Sequence, residues 1–312
     1  MRTNTKTNAS TPMAYVERVN LAIDHVVSHL GRPLRLQEVS RAAMLSPFHF
    51  HRVFQALVGV TLGEFVKRLR LEKALSLMAF SSAAYSRRPS LTTIGLMCGF
   101  SSSSDFSRCF KQRFGVAPSA FDIKGWRDAH RAELQAMVPG SVERPQIERL
   151  PAGHNPDGFR VRIRELPART VAYIRVRNPY RGDAVVKAVQ RLVAWAQRNS
   201  LADGQWLGYQ WDNPEITPLE SCQYHIAVEA ERFTSKGEIG RFRFPAMVVA
   251  QVELHGGIDL ELRALQWLFG VWLPKSGYVP DDQPCFEAFI GLPFAHGTEH
   301  FELHAQLPVR RG

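Results

Sequence analysis

Two stretches in the first half of the chain are copies of one another in register, and no other feature narrows the possible folds as far. RAAMLSPFHFHRVFQALVGVTLGEF (Arg41–Phe65) parallels GLMCGFSSSSDFSRCFKQRFGVAPSAF (Gly95–Phe121), with Arg52 aligned to Arg108, Phe54 to Phe110, Gly59 to Gly115 and Phe65 to Phe121. Matches held in register over so short a span point to one supersecondary unit used twice. Each copy has a short helical run, a break, and a second run opened by serine and closed by glycine. Serine is a favoured N-cap, and glycine tolerates the left-handed backbone just past a helix end. The pattern predicts two helix-turn-helix units, with a longer helix from about Leu62 to Met78 between them, a polar loop over Ser81–Ser90, and a first helix over Met13–Leu30.

The second half carries a different duplication. LPARTVAYI at Leu166 parallels FPAMVVAQV at Phe244, Leu192–Trp195 parallels Leu268–Trp272, and LGYQWDNP (Leu207–Pro214) parallels FEAFIGLP (Phe286–Pro293). Alternating, β-rich stretches flank two helical ones, Asp183–Asn199 and Asp259–Leu273, so the unit is strand, helix, strand, strand, used twice. Two such units facing each other across a pseudo-twofold axis leave a concave seam, a common place for a ligand. The expected fold class is therefore multidomain: an all-α double helix-turn-helix domain followed by an α+β domain of two pseudo-repeated units. The divisions expected are a disordered leader over 1–12, the helical domain over 13–126, a Pro- and Gly-containing linker over 127–157, and the α+β domain over 158–312.

Charge separates the halves as sharply as pattern does. Residues 1–145 hold 20 Lys and Arg against 10 Asp and Glu, whereas residues 146–312 hold 19 of each. The whole excess of +10 lies in the helical half, where a module docking on a polyphosphate needs it. No apolar run approaches the ~18 residues that cross a bilayer. The polar start MRTNTKTNASTP lacks the apolar centre of a secretory signal, and Cys98, Cys109, Cys222 and Cys285 form no CxxC pair. These features fit a reducing cytoplasm with no membrane partner; a place at the bacterial nucleoid is expected only through DNA binding.

The second helix of a helix-turn-helix presents its N-terminal part to the major groove. In the first copy Phe50, Val53, Phe54 and Leu57 form the inner stripe, which leaves Phe48, His51, Arg52 and Gln55 outward. Arginine donates bidentately to guanine, and an aromatic ring packs on a thymine methyl group. In the second copy Phe106, Cys109, Phe110 and Phe114 face inward, leaving Ser103, Ser104, Ser107, Arg108 and Lys111 outward, with Asp105 placed to tether Arg108 or Arg113. Hydroxyls hydrogen-bond promiscuously, so Arg108 carries most of the base selection expected there. His49 and His51 are two apart on a helix and point in different directions. No metal site is expected, and neither is a cofactor or a catalytic group.

The segments GFSSSSDFSRCFKQRFGVAPSAF, SPFHFHRVF and GVTLGEFVKRLRLEKAL resemble the DNA-binding domain of the AraC/XylS family over about 115 residues. The resemblance implies about seven helices, double-stranded DNA as partner, and a transcription activator that also touches RNA polymerase. With two readers on one chain, a monomer or weak dimer suffices. Two departures stand out: the long loop Ser81–Ser90, and Gly95 in place of a helix-favouring residue, which is expected to soften the second copy.

IRELPARTVAYIRVRNPY, DNPEITPLESCQYHIAVEA and WLPKSGYVPDDQPCFEAF resemble the GyrI-like effector-binding domain, related to multidrug-sensing modules. HGGID (His255–Asp259) departs from that pattern. Trp206, Tyr209, Trp211, Tyr224, Trp267, Trp272, Phe286 and Phe289 crowd the candidate seam, where stacking and cation–π contacts suit a planar or cationic effector. Glu287 is the candidate carboxylate, and the resemblance favours an acid at that place. The plainer role of these aromatics is core, above all for Trp267 and Trp272. Two further functions stay open: a hydrolase in which Glu287 activates water, for which Tyr209, His225 and Glu229 supply no complete constellation, and a protein-binding module.

Overall fold

The protein is described by a computed structural model over residues 12–84, 89–137 and 155–311. The expected leader, apart from its last residue, and most of the expected linker lie outside these residues. The helical part consists of α1 (Pro12–Ser28), α2 (Leu36–Ala42), α3 (Pro47–Val58), α4 (Leu62–Ala84), α5 (Leu91–Met97), α6 (Ser103–Phe114) and α7 (Ile123–Ala136). The two reading helices, α3 and α6, are bounded alike. Ser46 Oγ accepts from the His49 amide and Ser102 Oγ from the Asp105 amide, which satisfies one orphan donor in each first turn. Gly59 and Gly115 close them at φ 87° and 80°, a conformation that penalises any other residue. At the start of α4 the Thr61 amide donates to Glu64 Oε2 (2.8 Å) and the Glu64 amide donates to Thr61 Oγ1 (3.3 Å), a reciprocal cap.

Each copy builds its own apolar centre. Val19, Ile23, Val26, Val39, Phe50, Phe54 and Phe65 form the first, and Leu71, Leu75, Ile94, Phe100, Phe106 and Phe110 the second. Helix α4 contributes Phe65 and Val66 to one and Leu71, Ala74 and Leu75 to the other. It therefore joins the readers through packing as well as through the chain.

Three expectations are corrected here. Helix α4 runs past Met78 to Ala84, into the stretch expected to be loop; residues 85–88 lie outside the described ones. Ser81 and Ser82 lose only a few tenths of a kcal/mol of helix propensity each, too little to stop a propagating helix. Helix α7 likewise continues to Ala136, through residues expected to open the linker, because Trp126, Arg127 and Arg131 find partners on the α+β domain. Finally, Gly95 does not simply loosen the second copy. A methyl group there would stand 2.9 Å from Phe106 Cβ, so glycine is what lets α5 approach α6 this closely.

The α+β domain is one antiparallel sheet with helices on one face. Its elements are β1 (Arg162–Leu166), β2 (Arg169–Arg177), α8 (Ala184–Arg198), β3 (Trp206–Gln210), β4 (Gln223–Glu229), β5 (Gly240–Phe244), β6 (Met247–Gly256), α9 (Ile258–Trp267), α10 (Leu273–Ser276), β7 (Tyr278–Pro280), β8 (Phe286–Phe289) and β9 (Phe301–Arg311), with a wide π-type turn over Leu268–Trp272. The strand order is β1-β6-β9-β8-β3-β4-β2-β5, with β7 added on β9. The order is symmetric about the β3–β8 pair, so β2-α8-β3-β4 and β6-α9-β8-β9 are the two copies. The strands that lead into each copy are exchanged: β1 pairs with β6, and β5 with β2. Neither copy completes its sheet without the other.

Strand alternation divides the apolar residues between two faces. Ile174, Trp206, Tyr224, Ile226, Ala250, Phe289 and Leu307 pack under α8 and α9. Val171, Tyr173, Leu207, Tyr209, Phe244, Val249 and Phe286 form a second cluster on the other face, toward which α1 packs.

Candidate functional site

On α3, Phe48, His51, Arg52 and Gln55 are all exposed, Phe48 to 67%. The Arg52 guanidinium lies 5.8 Å from the centre of the Phe48 ring, and among the described residues it has no carboxylate partner. On α6, Ser104, Arg108 and Lys111 are exposed, whereas Ser103 and Ser107 are half-buried. Ser103 Oγ is engaged by the Thr92 hydroxyl at 3.3 Å. Arg108, 69% exposed, donates to Asp105 Oδ1 at 2.7 Å, and Asp105 also accepts from Ser101 Oγ at 3.0 Å. The second arginine is held back along its own helix.

In the α+β domain, Glu287 of β8 and Gly208 of β3 are partners in the pair that straddles the pseudo-twofold axis. The Tyr224 hydroxyl donates to Glu287 Oε2 at 2.6 Å. A Cβ on residue 208 would collide with that hydroxyl and that carboxylate, so Gly208 makes the room they occupy. Burial raises the Glu287 pKa to about 7, with the Tyr224 hydrogen bond pulling the other way. Glu261 of α9, packed over this face, lies close enough to Glu287 for their charges to interact, and burial, then the charge of Glu287, pushes its pKa well up. Trp206 and Phe289 lie on this face, Trp206 with its indole bonded to the Ala202 carbonyl at 2.9 Å. Trp272 packs against the same core and stacks on Tyr278.

The expected aromatic seam is corrected by strand alternation. Tyr209, Trp211 and Phe286 belong to the opposite face, where Tyr209 stacks on His225 and packs against Phe286 and Phe244. Phe286 and Glu287 are neighbours in a strand, so they cannot face the same way. The Arg169 guanidinium, 4.4 Å from the Phe286 ring, occupies that second face as well.

Among the described residues the two domains meet at several places: Lys73 of α4 pairs with Asp282, between β7 and β8, at 2.7 Å, and two further contacts are more extensive. Arg175 of β2 donates to Asp24 Oδ1 (2.5 Å) and Asn20 Oδ1 (2.6 Å) of α1, while the Tyr173 hydroxyl donates to Asp24 Oδ2 (2.5 Å). Arg177 bonds the Leu57 carbonyl in the last turn of α3. At the second place Trp126 Nε1 donates to the Ile216 carbonyl (3.0 Å), and Arg127 and Arg131 pair with Glu215 at 2.7 and 3.2 Å. Each reader therefore has its own attachment. His225, next to Tyr224 in β4, accepts from Arg175 Nε at 2.9 Å. One strand thus touches Glu287 on one face and the α1 attachment on the other.

The family described as GyrI-like small molecule binding domain matches residues 159–310, and that described as Helix-turn-helix domain matches residues 39–122. A DNA gyrase inhibitor from Edwardsiella piscicida is 32% identical over 162 residues, covering 49% of this chain and 99% of that protein. The chain belongs to the AraC-type regulators carrying a GyrI-like domain. The probable transcriptional regulator LumQ of Photobacterium leiognathi is 32% identical over 110 residues, 35% of this chain and 42% of that one. The probable transcription factor PqrA of Proteus vulgaris is 32% identical over 92 residues, 30% of this chain and 70% of that one. The chain thus spans less than half of LumQ but nearly all of the gyrase inhibitor. It is a DNA-binding transcription regulator with a small-molecule-binding domain. Among the described residues no helix is long and apolar enough to cross a membrane, and no three His, Cys, Asp or Glu side chains are grouped to hold a metal ion.

Several residues of this AraC-type regulator escape a reading of the sequence. Gly208 carried a signal, since a glycine inside a strand marks close approach. Glu261 carried one too: with Ala264 and Leu268 it falls on the apolar stripe of its helix. The Arg175–Asp24 and Glu215 attachments carried none, because they join segments that only tertiary structure brings together.

Proposed function

We propose that this protein is a ligand-gated transcription activator whose GyrI-like domain takes up a small cationic, aromatic molecule at Glu287. The observation that carries this reading is a carboxylate set among aromatic rings and bonded, among the described residues, only by the Tyr224 hydroxyl. A half-buried carboxylate without a cation is costly, and a cationic ligand supplies what is missing. Trp206, Tyr224, Trp272 and Phe289 lie on the face from which such a ligand would be held.

A ligand that displaces the Tyr224 hydroxyl moves β4, and His225 carries that movement to Arg175 and α1. If the ligand favours the arrangement in which both readers fit DNA, it shifts the population toward the promoter-bound state. Phe48, His51, Arg52 and Gln55 then read one groove face, and Ser104, Arg108 and Lys111 the next, with Ser103 and Ser107 close to the backbone. Family likeness supports RNA polymerase as the further partner, action at the nucleoid in the cytoplasm, and a monomer or weak dimer on an asymmetric site.

Titration calorimetry with N-methyl-4-phenylpyridinium, a planar aromatic monocation, tests this. Binding to the wild type and at least a tenfold loss in Glu287→Gln are expected; equal affinity for both proteins sinks the reading. The Glu287–Tyr224 pair also suits a hydrolase, in which the carboxylate activates water. Turnover of an electrophilic substrate by the wild type and not by Glu287→Gln would favour that alternative. The relative named a DNA gyrase inhibitor keeps the protein-binding alternative in view. Stoichiometric capture of purified gyrase, with no thermal shift from any cation, would favour it.

A further inference from the structure

Glu261 has no assigned role, and its surroundings are unusual. It is 7% exposed, among the described residues its side chain has no hydrogen-bond or ion-pair partner, and it stands on the apolar stripe of α9 near enough to Glu287 for the two charges to interact. A carboxylate this deeply buried is normally paired or bonded. Glu287 at least accepts from Tyr224; the Glu261 carboxylate accepts from no described residue. The other titratable groups facing the pair are Tyr224 of β4, Tyr180 between β2 and α8, and Cys285 just before β8. Burial pushes all three upward, Cys285 to about 12, so each is neutral near pH 7 and none supplies a positive charge. Among the described residues no Lys, Arg or His side chain acts on either glutamate. Two carboxyl groups, contributed by a helix and a strand of the second copy, thus stand together with no cation for either among the described residues.

We propose that the Glu287–Glu261 pair takes a ligand with two cationic groups, one held by Glu287 and the other by Glu261, and that it selects such dications over monocations of similar frame. The inference rests on the effector reading above and deepens it. With one proton shared between the two acids, a single positive charge suffices. With both ionised, the site carries two negative charges in a low-dielectric setting, and only a dication neutralises them. Binding a dication therefore releases more protons than binding a monocation.

Methyl viologen and N-methyl-4-phenylpyridinium share a biaryl frame and differ by one charge, which makes them matched probes. Their affinities and proton release are measured by calorimetry in buffers of different ionisation enthalpy, for the wild type, Glu261→Gln and Glu287→Gln. In the wild type, methyl viologen is expected to bind at least tenfold more tightly and to release about one more proton. Glu261→Gln is expected to erase both differences while leaving the monocation within threefold of its wild-type affinity, and Glu287→Gln to weaken both ligands. Equal affinity and equal proton release for the two ligands in the wild type overturn the dication proposal and leave the effector reading standing. So does an undiminished preference for methyl viologen in Glu261→Gln. If neither ligand binds the wild type, both fall. Proton release by the wild type is the measurement that stands should a variant fold poorly.

Discussion

Reader one and reader two use the same scaffold, caps and phenylalanine positions, yet they hold their central arginines differently. Arg52 lies beside an exposed ring with its fork free, while Arg108 is tied to Asp105 one turn back on α6. A free fork over a bare aromatic suits direct base recognition; a tethered arginine among serines suits positioning on the backbone. The attachments differ as well. Reader one is fastened by Arg175 and Asp24, a pair almost out of water, and reader two by the Trp126 indole and the more accessible Glu215 cluster. The two copies thus share one shape, and the proposed roles divide between them as selecting and anchoring.

The largest effect that could break this comparison lies at the first attachment. Arg175→Met leaves Asp24 buried without its cation, and should lower stability by about 3–5 kcal/mol in chemical denaturation. Glu215→Gln, at the second attachment, should cost less because its partners reach water. Equal losses would show that the two attachments are equivalent.

Inside the readers, Gly95→Ala should cost about 1–3 kcal/mol of stability, since its methyl group meets Phe106 and overpacks the α5–α6 contact. Ser40 is buried at the corresponding place in α2 and already fits a side chain, so Ser40→Ala should be milder. Thermal melts of the two variants measure the difference; a larger loss for Ser40→Ala would reverse the assignment.

Of comparable size, but read in DNA binding, Arg52→Ala should cost about 1–3 kcal/mol and relax base choice at one position. Arg108→Ala should cost less, because Arg108 must first leave Asp105. Selection of sites from a random pool, wild type beside each variant, reports both. The smallest effect is expected from Lys67→Ala, at an exposed position in the second turn of α4, or from Lys111→Ala: weaker binding to every sequence and a salt slope reduced by about one. A change in base preference for either lysine variant would move that residue from the anchoring group to the selecting one.

Much of this was legible in the residues. The duplications, the serine starts and glycine ends of α3 and α6, and the inward phenylalanines followed from periodicity and capping. The exchange of β1 and β5 did not, because strand partners far apart in the chain leave no local mark. The aromatic residues near Glu287 were legible as a set but not by face. Phe286 and Tyr209 look like pocket residues until strand alternation turns them to the far side. Gly95 shows the same limit in reverse: its helix propensity is visible, whereas the Phe106 side chain that requires it is not.

The central claim is that α3 and α6 enter successive grooves of one duplex from a single chain. It is tested most directly on a selected site by inserting about five base pairs, half a helical turn, between the segments protected by the two readers. Binding should fall to the level of one reader alone, with protection lost over the α6 segment. Unchanged affinity, with both segments still protected, would mean that the readers are not held in fixed register, and the claim would be wrong.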